Sequence, residues 1–176
     1  HRDLHSFPTR RSSDLNGPTH TISGDGTGIF GHLELDDTGA TLTADQAVND
    51  TLTLTNGVFD IDTYNLTLNA GAVIEGTITA SNMIETAGNS SDGGLSKVYS
   101  GSGSFTFPFG TGGLYTPAAI NVGSASSYGT ITIRPTSQEH PNVTEVDSSL
   151  TYYWRGTSSG FTSPSNVTHT YTYDDT

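Results

Sequence analysis

TLTLTNGVFDIDTYNLTLNAGAVIEG, Thr51 to Gly76, is the stretch whose reading decides the fold. Apolar residues alternate here with Thr, Asp and Asn. Side chains on a strand point to opposite faces in turn, so Leu52 and Leu54 share one face and Thr51, Thr53 and Thr55 the other. Phe59 and Ile61, then Leu66 and Leu68, then Val73 and Ile74 continue the pattern in short runs. Asn56-Gly57 and Ala70-Gly71 break the runs, because these residue types accept the positive φ of tight turns. Val58 and Ile61 cannot both follow strict alternation, which predicts a bend near Phe59 or Asp60. TLTLTNG returns in outline as NLTLNAG, fourteen positions on. One such strand pair cannot bury its own face, whereas stacked copies can. The stretch therefore predicts rungs of a short β-solenoid.

The pattern extends outward on both sides. His32 to Leu35 and Thr41 to Thr43 read as further short strands, with Gly39, Gly57 and Gly71 in turns between strands. Ala44 to Val48 is the one helix-compatible piece, and it is too short to stand alone. The rungs fade after Ile78, and residues 87–96, which include AGNSSDGGLS, read as a loop or hinge. Beyond Lys97 the strands are longer and richer in aromatics: Ser104 to Phe109, Tyr115 to Val122, Thr130 to Arg134, Leu150 to Trp154 and Val167 to Tyr173. Pro108 marks a strand edge or end. Five strands separated by Gly, Ser and Pro turns predict an antiparallel β-sandwich-like unit. The expected organisation is all-β: solenoid rungs over 16–86, a loop or hinge over 87–96, and the sandwich-like unit over 97–176.

Composition narrows the function classes. The chain has 176 residues, 6 basic and 18 acidic, for a formal net charge of −12. Such a surface repels nucleic acid and anionic membrane, so neither is an expected partner. There are no cysteines, which excludes disulfides and thiolate metal sites. No apolar run approaches the roughly 20 residues of a membrane-spanning helix.

Residues 1–15, HRDLHSFPTRRSSDL, have a different character. They hold half of the basic residues and no strand alternation, and they lack the apolar core of a signal peptide. The segment resembles, residue for residue, the translation of a common short-read sequencing adapter in one reading frame. The expectation is an artefact of assembled environmental DNA, disordered and foreign to the fold.

TLTLTNGVFDIDTYNLTLNAGAVIEG, SFTFPFG within GSFTFPFGTGGLYTPAAI, the YYW strand of SLTYYWRGTSSGF, and NVTHTYTYDD together resemble a module of large secreted surface proteins of Gram-negative bacteria. The resemblance covers most of Gly28 to Asp175. It implies a secreted, adhesin-like, non-catalytic scaffold at the cell surface, with glycans or other surface proteins as partners and no membrane insertion. It brings no catalytic residues and no cofactor.

Asp60 and Asp62, two apart, would share a strand face, as paired carboxylates do in polysaccharide-cleaving β-helix enzymes. Such a site also needs nearby cations, and Lys97, Arg134 and Arg155 fall outside the expected rungs. Asp25, Asp36 and Asp37 offer oxygen ligands near turns and are the Ca²⁺ candidates, although neither segment matches a known Ca²⁺ loop. Asp is also simply a good turn residue. The histidines form no metal-binding pair. In the YYW strand, Tyr152 and Trp154 would share a face, with Trp154 in the core. Tyr153, opposite, is the exposed glycan-stacking candidate. The leading expectation is a structural or adhesive module, followed by a carbohydrate-binding accessory module and then a polysaccharide-cleaving fragment.

Overall fold

The computed structural model describes residues 12–15, 20–144 and 149–173. It is all-β, with one large curled mixed sheet and a separate three-stranded antiparallel sheet. The strands are β1 (Ser12–Leu15), β2 (His20–Ile22), β3 (Gly28–Leu42), β4 (Gln46–Asp60), β5 (Asn65–Leu68), β6 (Val73–Gly76), β7 (Ile84–Glu85) and β8 (Gly94–Val98). They continue with β9 (Gly103–Phe107), β10 (Phe109–Thr111), β11 (Leu114–Tyr115), β12 (Ala118–Ser124), β13 (Thr130–Thr136), β14 (Tyr153–Ser159) and β15 (Ser165–Tyr171).

Parallel pairing stacks the first half of the chain in three columns. One runs His20, Ala40, Phe59, Ile84 and Phe109. A second runs Leu33, Leu52 and Ile74. A third runs Gln46, Leu66 and Leu95. The leucines at 33, 35, 52, 54, 66 and 68 are all buried, as are Phe59 and Phe109. Each buried side chain of this kind stabilises the fold by about 1.5–3 kcal/mol. Polar side chains bind between neighbouring layers at the edges of the columns. Thr55 donates to Glu34 (2.9 Å), Asn69 to Asn49 (2.6 Å), and the Asn65 amide N–H to Asp45 (2.8 Å), each across 20 or 21 positions.

These registers revise the fourteen-residue spacing. Leu52 pairs with Leu33 and Ile74, whereas Leu66 pairs with Gln46 and Leu95. TLTLTNG and NLTLNAG therefore lie in different columns. They look alike because both bury two alternating leucines before a glycine of positive φ, a bend within β4 at Gly57 and a turn at Gly71. Gly39 and Gly57 also differ from the reading as turns between strands. Both lie inside the 15-residue strands β3 and β4, close to shifts in the β3–β4 register. Gly57 has φ +84°, and a Cβ there would lie 2.1 Å from the Asp37 carbonyl oxygen. The bend thus falls at Gly57, and beyond it Phe59 and Ile61 point inward while Val58 is half-buried.

The segment read as a loop or hinge is corrected at its C-terminal end. Gly94–Val98 is β8, paired in parallel with β5 on one side and antiparallel with β13 on the other. β14 then pairs with β13, so the large sheet continues through the expected boundary. Gly93 and Gly94 serve close packing: a Cβ on either would lie within 2.6 Å of the Tyr64 or Ile133 backbone. The antiparallel sheet is smaller than expected and has the order β15-β12-β9. Of residues 1–15, Ser12–Leu15 forms β1, parallel to β3, which corrects disorder for those four; the rest of the stretch lies outside the described residues. The open edge of β3 offers backbone N–H and C=O groups that any extended segment can satisfy.

Candidate functional site: a groove between the two sheets

A concave feature lies where the three-stranded sheet meets the last strands of the large one. Ile131 and Ile133 of β13 form one wall with the Gly156–Ser158 stretch of β14. Ile120 and Val122 of β12 form the other, with Val167, His169 and Tyr171 of β15. Phe161 and Pro164 close the loop side, and the cavity holds about 240 Å³. Strict alternation places these side chains: Ile120 and Val122 are buried on one face of β12, Ile131 and Ile133 on one face of β13.

Aromatic residues tie the walls together. Tyr99 donates its hydroxyl to the Ile120 carbonyl (3.2 Å), and burial pushes its pKa up to about 12. Trp154 Nε1 donates to the Thr116 carbonyl (2.9 Å). Its ring lies 5.0 Å from Tyr171 and 5.4 Å from Tyr152, centroid to centroid. Trp154 is partly buried against the core rather than enclosed by it, while Tyr152 is buried. Tyr153 is half-buried with its ring edge-on to His140 at 5.0 Å. Burial also raises the pKa of Tyr171, whose hydroxyl is 3.2 Å from His169 Nδ1. The groove is an apolar trough with a tyrosine and a histidine at one side, suited to flat apolar faces or an extended chain.

The other sequence candidates are dispersed. Asp25 accepts the Thr27 hydroxyl (2.6 Å) and the Thr27 N–H (3.0 Å), and the hydroxyl bond is the larger cause of its lowered pKa. Asp36 accepts from Asn56 in the next layer (3.5 Å). Asp37 accepts the Thr38 N–H, and its other oxygen lies 3.1 Å from His20 Nε2, outside hydrogen-bond geometry. Among the described residues no group of three or more His, Asp or Glu side chains converges as a metal site. The proposed Ca²⁺ ligands are thus engaged separately in turn and interlayer contacts.

Asp60 and Asp62 do not share a strand face. β4 ends at Asp60, whose carboxylate accepts the Asp62 N–H (2.8 Å), and Asp62 sits in a turn at φ +48°. Burial raises the Asp60 pKa, and Asp62, Glu85 and Asp92 add to the effect. Arg134 and Arg155 are cross-strand partners on the same large sheet. Arg155 donates to the Ser90 carbonyl (2.7 Å) and so fastens the 87–93 loop. Lys97 donates to the Asn69 and Ala72 carbonyls (2.8 and 2.7 Å) and is buried. Arg155 and Lys97 are therefore engaged in structural contacts. The groove itself was missed in the sequence, although the alternation of Val167, His169 and Tyr171 marked its outer strand.

No family model matches this chain, and neither a curated protein nor a solved structure matches it significantly.

Proposed function

We propose that the chain is a non-catalytic structural or adhesive module of a secreted bacterial cell-surface protein, built as a short β-solenoid that passes into a sandwich-like unit. The observation that carries this reading is the three-column parallel register, with buried Leu, Ile and Phe stacked layer on layer and Asn, Thr and Asp side chains bonded between layers. Such stacking gives an extended form in which backbone groups are satisfied by the layers on either side. An acidic exterior keeps it soluble and free of nucleic acid. The Asp60–Asp62 contact is a turn closure and not a pair of carboxylates on one strand face.

A carbohydrate-binding role is the second reading, favoured by Tyr153 against His140 and by Trp154 beside Tyr171 at the groove. Two measurements on the full chain separate the possibilities: limited proteolysis, and incubation with a panel of acidic and neutral polysaccharides. The scaffold reading expects a protease-resistant body and neither depolymerisation nor retention. Retention lost in Tyr153→Ala or Trp154→Ala would move the module to the carbohydrate-binding class. Product release abolished by Asp60→Asn would overturn both.

A further inference from the structure

One outer strand of the smaller sheet, β15, is an open edge without charge. β15 pairs with β12 on one side, and no other described strand pairs with it. Two other edge strands carry a charged side chain, Arg155 on β14 and Glu75 on β6. Ser165–Tyr171 contains no charge and no proline, in a chain of net charge −12. An uncharged edge of this length is a template for strand addition.

The direction of the free backbone groups follows from one bond. The Thr172 N–H donates to the Pro117 carbonyl (3.0 Å), on the β12 side. Backbone groups alternate sides along a strand, so Thr168 and Thr170 also face β12, and Val167, His169 and Tyr171 present their N–H and C=O to the open edge. Asn166 has φ +53°, which ends the regular run before Val167. The regular run is thus Val167 to Tyr171, symmetric about His169.

We infer that this edge is a self-association site: two copies of the chain pair antiparallel through β15 about a two-fold axis at His169. In that register Val167 of each copy lies opposite Tyr171 of the other, and the two His169 residues face each other. These three pairs exchange two hydrogen bonds each. Val167 and Tyr171, 38% and 36% exposed, cover one another across the new ladder. Thr168 lies opposite Thr170 on the outer face, where both are exposed and β-branched neighbours pair well. A second copy suits this edge because every pairing is self-complementary. The strand also lacks the negative charge that makes the rest of two such chains repel. The two small sheets become one of six strands.

Sedimentation velocity of the full chain, up to ~1 mM because edge pairing alone is weak, tests this. The expected result is a concentration-dependent shift from 18.5 kDa to twice that mass. Thr168→Lys/Thr170→Lys places like charges opposite each other and abolishes the shift. Thr168→Glu/Thr170→Lys places opposite charges together and retains it. Circular dichroism checks that both variants keep the wild-type β spectrum, which their exposed positions favour. A wild-type chain that stays at 18.5 kDa overturns the proposal. So does a Lys/Lys variant that still doubles in mass, which would place association on another surface. Loss of the shift in the folded Glu/Lys variant overturns the register and, with it, the assigned two-fold.

Discussion

Asn82 shows how much one side chain holds at the end of a column. It is buried, and its Nδ2 donates to the Leu54 and Thr77 carbonyls, both at 2.7 Å. Asn82→Ala leaves those acceptors without this donor, with an expected loss of about 1–3 kcal/mol in urea unfolding. Tyr99 gives a pH signature. Its folded pKa, about 12, lies above the unfolded value of about 10, so the folded state holds the proton more tightly. Its contribution is fully present below pH ~10 and is lost as pH rises toward 12. Tyr99→Phe removes the bond to Ile120 and should flatten the stability-against-pH curve in that window, read by unfolding midpoints at stepped alkaline pH. Lys97 has the opposite sign. Burial lowers its folded pKa, so its contribution favours folding more as pH rises through that folded value toward the unfolded one.

At the scale of the strand, the 15-residue β4 serves all three columns, and the bend at Gly57 separates its Leu52 column from its Phe59 column. The positive φ of Gly57 and the nearby Asp37 carbonyl both exclude a side chain. Gly71 makes a clean comparison, because it has the same φ of +84° and open space around its missing Cβ. Gly71→Ala is expected to cost about 1 kcal/mol, from the left-handed backbone alone. Gly57→Ala should cost clearly more, since the β3–β4 layers must separate to admit the methyl group. Thermal unfolding of the two variants side by side checks the ranking. Equal losses would mean that the bend is not held by the close approach.

For the molecule as a whole, the large sheet joins the columns to β13 and β14, and the groove lies where that sheet meets the smaller one. Buried side chains from both sheets form one core cluster. The chain should therefore unfold in one transition, with fluorescence of Trp154 and far-ultraviolet dichroism coincident. If residues 1–15 are foreign to the module, deleting them should shift the melting temperature by no more than about 4 °C, roughly 1 kcal/mol for a chain of this size. A larger drop would mean that β1 belongs to the native stack.

The sequence by itself determined the all-β class and the inward residues of individual strands, because alternation is a local property of extended backbone. It also marked the turn-forming character of its aspartates. It could not determine which strands are neighbours. TLTLTNG and NLTLNAG satisfy the same local rule in different columns, and only long-range hydrogen bonding tells them apart. The Gly-rich segment before Leu95 looked like a hinge because glycine marks both flexible and tightly packed backbone. The tertiary structure chose the second by placing Tyr64 and Ile133 against it. The groove was decided in the same way. Its walls come from four consecutive strands, β12 to β15, divided between two sheets, and no local pattern records which of them face one another.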